Sequence, residues 1–297
     1  GDLLVGFKYI ADEMNKIEKE GKIEDFIFGT EESHGYLTGN YARDKDAACA
    51  AIWLSEHAAE LKKQQKTLLD DLNEIYSTYG YCHNYLTEIR LLGARGMEQI
   101  GLIMDHLRGT QIESFENFRV KKRLDRRQGD PQPHLSETDT SARNMLIYYL
   151  DDLPTTAGIK ITVRPSGTEP KIKMYFEVIG KPCNPENLAD ERTKITAIRQ
   201  KLEKIFMQYC YRLLGVDFPD RGFLLFWQLP LNDKLKYFEI EDDIVKLKNT
   251  PDTRTRQNEL DKLLLFLGAN PTEKVDKAFR EKYSVDILEY LELSGVE

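Results

Sequence analysis

Gly158-Ile159-Lys160-Ile161-Thr162-Val163, then Arg164-Pro165-Ser166-Gly167-Thr168-Glu169-Pro170, then Lys171-Ile172-Lys173-Met174-Tyr175-Phe176-Glu177-Val178, is the stretch on which the fold of this chain turns. Both flanks alternate apolar and polar residues with period 2, the signature of strands buried on one face. A short segment of turn residues joins them. Ile159, Ile161 and Val163 share the core-facing side, which sets Arg164 on the polar side with Lys160 and Thr162. The loop is rich in anion donors. Arg164 offers a planar fork, Ser166 and Thr168 offer hydroxyls, and Gly167 lets backbone N–H groups come close to an anion. Lys171 and Lys173, on one face of the next strand, add charge. A phosphate monoester suits this donor set; an ordinary hairpin turn is the other reading of the same Pro, Ser and Gly.

Working outward, residues 23–28 contain the apolar run Phe26-Ile27-Phe28, short enough for a buried strand that ends at Gly29, where a loop is expected. Sites in open α/β sheets lie at such carboxyl ends. Glu31, ionised, accepts two hydrogen bonds from neighbouring hydroxyls, and Ser33 donates or accepts. A solvated turn leading into a helix near Asp46 is the alternative. His34 reads as a loop side chain.

Phe28-Gly29-Thr30-Glu31-Glu32-Ser33-His34-Gly35-Tyr36 resembles the sugar-binding loop of the α-D-phosphohexomutases, the phosphoglucomutase and phosphomannomutase superfamily. Arg164-Pro165-Ser166-Gly167-Thr168-Glu169-Pro170 resembles the phosphate-binding loop of that family's last domain. Arg43-Asp44-Lys45-Asp46-Ala47 follows the first loop as it does in phosphoglucomutases. Gly6-Phe7-Lys8 is similar to a family segment whose Lys reaches the active site. Thr30 and Val5 depart from the family pattern, which has Gly and Thr there. The resemblance covers residues 2–214.

It implies that Glu31 and Ser33 hold the ring hydroxyls, that Lys8 and Arg43 add cations at the cleft, and that Arg164, Ser166, Gly167 and Thr168 hold the phosphate that is not reacting. It further implies a hexose phosphate substrate, a phosphoserine donor, Mg²⁺ and a glucose 1,6-bisphosphate intermediate. The motifs for the phosphoserine and for Mg²⁺ are not in this sequence, so no catalytic residue and no metal ligand is assigned here. The chain is expected to be the C-terminal portion of a longer mutase and to turn nothing over alone. A standalone phosphosugar-binding or regulatory protein without catalysis is the alternative, and a Ser-His-Asn-Pro motif in the reading frame upstream discriminates the two.

The expected fold class is α/β: a truncated mixed-sheet third domain (residues 1–93), then a small α+β phosphate-binding domain (94–214) and a helical extension of unassigned role (215–297). Helices are expected at 7–19, at 44–63 with Ala48, Ile52 and Ala59 on the inner face, at 68–79 and at 97–107. A strand at 81–92 leads out of the first unit, another lies at 144–149, and a helix carries Ile195, Ile198, Leu202, Ile205 and Tyr209 on one face. Gln128-Gly129-Asp130-Pro131-Gln132-Pro133 reads as a loop. In the extension Leu260, Leu263, Leu264 and Leu267 repeat at helical spacing, Asn270-Pro271-Thr272-Glu273 reads as a helix cap, and Ser284 as the cap of a last helix with Ile287, Leu288 and Leu291 inside.

A chain of 297 residues has room for two or three domains. Its apolar runs are far shorter than a membrane span, and no signal peptide opens it, so a cytoplasmic protein without a membrane partner is expected. Cys49, Cys82, Cys183 and Cys210 form no Cys-x-x-Cys pair and the five His residues no metal spacing, so free thiols and no zinc site are expected. A net charge of −8 opposes a nucleic-acid partner. The basic run 119–127 lacks interleaved aromatics and reads as a solvated strand edge.

Overall fold

The computed structural model describes residues 3–31, 35–91, 95–128, 134–167 and 169–293. Helix α1 (Phe7–Lys19) opens the chain behind Gly6, whose φ of 129° is one that L side chains rarely adopt. Phe7, Ile10 and Met14 form its buried stripe and meet Leu37 in a small core. Strands β1 (Phe28–Glu31) and β2 (Gly35–Thr38) pair antiparallel, Phe28 opposite Thr38.

This corrects the strand expected at 23–28. Ile23–Asp25 is a 3₁₀ turn, the strand starts at Phe28 and runs through Gly29, and Ile27 is 75 % exposed. A two-stranded ribbon buries one face only, so a continuous apolar run is not wholly covered. Gly29 serves close approach instead of ending the strand. A Cβ there would stand 2.7 Å from the Ile10 side chain on α1.

Helices α2 (Ala47–Lys63) and α3 (Leu68–Tyr79) follow. Asp46 caps α2 by accepting the Ala48 N–H, and Thr67 with Asp70 forms a reciprocal capping box on α3. The inner face of α2 is not the expected one: Cys49 and Leu61 are buried, whereas Ala48, Ile52 and Ala59 are exposed. The helix is Ala-rich on every side, so its periodicity does not choose a stripe.

The main body is an antiparallel sheet of β3 (Cys82–Arg90), β4 (Ser114–Phe115), β5 (Phe118–Asp125), β6 (Leu146–Leu150), β7 (Thr156–Pro165) and β8 (Lys171–Gly180), ordered β3-β8-β7-β6-β5-β4. Helix α4 (Gly96–Gly109) lies between β3 and β4, and the one-turn α5 (Asp139–Ala142) between β5 and β6. The strand expected to lead out of the first unit is thus an edge of this sheet, in register with β8 from Cys82 opposite Ile179 to Arg90 opposite Lys171.

Ile159, Ile161 and Val163 on β7 and Ile172, Met174, Phe176 and Val178 on β8 are buried as their alternation requires. They pack under Ile100, Ile103 and Met104 of α4 and under Ile195, Leu202 and Phe206 of α6 (Leu188–Leu213). Each such side chain contributes about 1.5–3 kcal/mol. The basic run lies on β5, second from the edge. Lys121 and Lys122 are exposed, Arg126 is buried, and Arg123 donates to the carbonyls of Leu107 and Thr110. The loop read at 128–133 lies largely outside the described residues.

Helices α7 (Leu231–Lys246), α8 (Thr253–Leu264), α9 (Asp276–Tyr283) and α10 (Ile287–Tyr290) enclose a second core around Tyr237, Ile244, Leu260, Leu264 and Phe279. Phe218 and Leu231 join the first core, so the extension packs on the sheet unit. Two caps differ from expectation. Residues 271–275 form turns, with the N–H groups of Val275 and Asp276 on the Thr272 carbonyl, and α9 starts only at Asp276. Ser284 ends α9 in the left-handed conformation at φ 67°; Asp286 caps α10 by accepting the Glu289 N–H. Among the described residues no helix is long and apolar enough to cross a membrane.

Candidate functional site: an anion cleft beside the β7–β8 turn

The end of β7 and the start of α1 meet at a cleft of about 560 Å³. Lys8, Arg108, Arg127 and Arg164 bring four cationic side chains to its lining, and Ser136, Thr138, Asn144, Ser166 and Gly167 bring polar groups. Asp105 also lines the cleft, and Lys8 and Arg108 are ion-paired with Asp139 and Asp125, so the attraction for an anion rests chiefly on Arg127 and Arg164.

The turn itself is ordered by its own donors. Ser166 N–H donates to the Lys171 carbonyl at 2.8 Å, and Ser166 Oγ accepts the Glu169 N–H at 3.3 Å. A Cβ on Gly167 would meet nothing within 4 Å, so an anion has open access to the backbone there. Arg164 donates from Nε and Nη2 to the Tyr175 hydroxyl at 3.3 and 3.0 Å. Lys171 is held by Glu169 and, at 3.6 Å, by Glu88. The hydrogen bond from Lys171 and its charge keep the Glu169 carboxyl below its ordinary pKa.

Lys8 comes from the first turn of α1 and donates to Asp139 and Ser136, and to Thr138 Oγ1 at 3.1 Å. The Asp139 side chain is fully buried. Burial opposes its ionisation, but hydrogen bonds from Lys8, the Leu135 N–H, Tyr9 and Ser136 outweigh that and hold its carboxyl well below the usual range. Lys8 thus ties α1 to α5 at the cleft wall.

Of the site residues expected from sequence, the fold gathers Lys8, Arg164, Ser166 and Gly167 in this cleft. Arg43 lines a neighbouring hollow of about 380 Å³ that shares Lys8, and it is bound to Glu18 at 2.8 Å and Asn15 at 3.0 Å. Glu31 sits at the end of β1, 3.3 Å from Lys45, and is not in the lining of the cleft. Ser33 and Thr168 lie outside the described residues. Arg108 and Arg127 line the cleft without having been expected there, and Asp139 and Tyr175, outside the lining, bind its Lys8 and Arg164. Strand parity places Tyr175 on the face of Lys171 and Lys173, a signal present in the sequence; Arg108 reaches the cleft, and Asp139 its Lys8, through tertiary folding alone.

A mixed α/β protein with a cationic cleft at a strand turn is the class these features define. Residues 2–79 match the family model for phosphoglucomutase/phosphomannomutase, alpha/beta/alpha domain III. A phosphoglucomutase of Staphylococcus aureus strain MSSA476 is 34 % identical over 197 residues, which is 66 % of this chain and 34 % of that protein. That of strain N315 is 36 % identical over 177 residues, 60 % of this chain and 31 % of the relative. The chain is related to the α-D-phosphohexomutase superfamily, and it spans about a third of the length of the curated relatives it matches.

Proposed function

We propose that this chain is the substrate-binding C-terminal portion of a phosphoglucomutase-type enzyme that interconverts hexose 1-phosphate and hexose 6-phosphate through a phosphoserine and a bisphosphate. The observation that carries the reading is the convergence of Arg164, Ser166, Gly167 and Lys8 on one cleft in a relative of the phosphoglucomutases. Arg164 holds two phosphate oxygens, and Ser166, the Gly167 backbone and Thr168 complete the cradle. Glu31 and Ser33 hold ring hydroxyls, and Lys8 and Arg43 set the positive rim.

The same donors must accept the sugar in either orientation, because the C1 and C6 phosphates exchange places during the reaction. Positioning and charge neutralisation dominate such transfers. Among the described residues no three His, Cys, Asp or Glu side chains gather to hold a metal ion, so no step is placed on a metal of this chain. In this reading another part of the intact enzyme supplies the nucleophile and Mg²⁺, and Glu-Glu-Ser at 31–33 leans towards glucose among the hexoses, mannose and glucosamine phosphates being the other candidates.

Titration of the purified chain with glucose 1-phosphate and glucose 6-phosphate, followed by NMR, tests the reading. Both phosphates are expected to bind weakly, glucose itself not at all, and Arg164→Met to lower the affinity at least about tenfold through loss of a charged bidentate contact. Equal binding by Arg164→Met would refute the cradle. Turnover by the chain with glucose 1,6-bisphosphate and Mg²⁺ would overturn the claim that it is inactive alone.

A further inference from the structure

Arg164 lines two cavities at once, the anion cleft and a second hollow of about 550 Å³ on the sheet face opposite α6, and Tyr175 lines the second. A guanidinium on a flexible stem between two hollows needs something to decide which way it points. Across the β7–β8 ladder Arg164 stands opposite Lys173, and Thr162 stands opposite Tyr175. Tyr175 is therefore the diagonal neighbour of Arg164 on the same face, at a distance aromatic and long side chains span. Lys173, directly opposite, is a like charge and disfavours a guanidinium leaning toward it. On its other side Lys173 faces Glu88 in the register of β3.

The contact between Arg164 and Tyr175 has two parts. The hydroxyl accepts from Nε at 3.3 Å and from Nη2 at 3.0 Å, so it grips one edge of the planar group. Arg164 Cζ also lies 5.7 Å from the centre of the Tyr175 ring, within cation–π range. Two bonds to one atom hold the Nε–Nη2 edge of the guanidinium at the hydroxyl.

We propose that Tyr175 is a positioning residue for phosphate recognition: it holds the Arg164 guanidinium in the orientation that meets the anion, and so removes an ordering cost from each binding event. The proposal rests on the phosphate-cradle reading above. Tyr175→Phe keeps the ring and deletes only the hydroxyl. A hydrogen bond to a charged group is worth enough that its loss is expected to weaken binding of glucose 1-phosphate and of inorganic phosphate about tenfold.

The test is NMR titration of the wild type, Tyr175→Phe, Thr162→Val and Arg164→Met with those two ligands, together with the Arg164 Nε–H signal. Thr162→Val changes the same face without touching the guanidinium and is expected to bind as the wild type does. Tyr175→Phe is expected to keep its melting temperature, to lose affinity, and to show faster solvent exchange of Arg164 Nε–H. If Arg164→Met abolishes binding while Tyr175→Phe binds as tightly as the wild type, Tyr175 has no such role and the cradle stands. If the wild type binds neither ligand, the cradle fails and the inference falls with it. Should Tyr175→Phe not fold, the wild type still decides: fast exchange of its Arg164 Nε–H overturns the proposal, and protection supports it.

Discussion

Lys8 and Arg164 reach one cleft in different electrostatic company. Arg164 is gripped by a phenol, whereas Lys8 is bound to a buried carboxylate and two hydroxyls. Asp139→Asn deletes the buried carboxylate that anchors Lys8 of α1, so it should act on α1 before it acts on the sheet. The expected outcome is faster amide exchange across residues 7–19 with the β7–β8 ladder still protected; equal loosening of both would contradict it. Asp139 has a depressed pKa in the fold, so its stabilising effect is present above the unfolded-state value near 3.9 and is lost as pH falls below it. Acidification from pH 5 to pH 2 should therefore loosen α1 in the wild type, and the Asn variant should lack that pH step. At this scale the sequence was informative where chemistry and strand parity coincide, as at Arg164 and Ser166. It was silent on Asp139, because nothing local marks a carboxylate whose partner lies on the first helix.

At the scale of elements, glycine has two distinct uses at the proposed sugar and phosphate strands. A methyl group on Gly29 would press on Ile10 at 2.7 Å, while one on Gly167 would meet only open space. Gly29→Ala is expected to destabilise the β1–α1 contact by about 1–3 kcal/mol, the range for overpacking, and Gly167→Ala to leave stability nearly unchanged. Thermal melts of the two variants check this; equal melting temperatures would refute it. The elements that periodicity located best have strong, one-sided patterns: α1 and α3 occupy the residues expected, and β7 and β8 bury the expected apolar sets. Elements went astray where the pattern is symmetric or the partner is remote. Phe26-Ile27-Phe28 reads as a strand by hydrophobicity alone, yet its burial depends on how many strands lie beside it. Asn270-Pro271 looks like a helix start, yet turn hydrogen bonds to the Thr272 carbonyl delay the helix to Asp276.

For the molecule as a whole, the junction between the sheet unit and the C-terminal helices is unusually charged for a buried surface. Lys234 on α7 is 6 % exposed, donates to the Trp227 carbonyl at 3.4 Å, and lies in the field of Glu203 on α6. Glu203 is paired with Arg199, whose guanidinium stacks 4.2 Å from the Tyr85 ring of β3, and it is hydrogen-bonded to Thr87. Burial pulls the Lys234 pKa down to about 8, with Glu203 opposing, and burial pushes Glu203 up, with Arg199 opposing. For a lysine the depressed value means that, between about pH 8 and the unfolded value near 10.4, the unfolded chain binds the proton and the fold does not. Stability from this group therefore rises with pH across that window, by about 3 kcal/mol in full. Cys210 and the buried Tyr211 and Tyr237 work in the opposite sense at alkaline pH, since burial raises their pKa values and the unfolded chain ionises first. The contribution of Lys234 is thus read as a difference. Urea unfolding of the wild type and Lys234→Met at pH 7.5 and pH 9.5 should show the wild type gaining on the variant as pH rises, because only the wild type must bury a charge at the lower pH. A gap that stays constant would mean that Lys234 keeps its proton across the range, held by Glu203 strongly enough to cancel its burial.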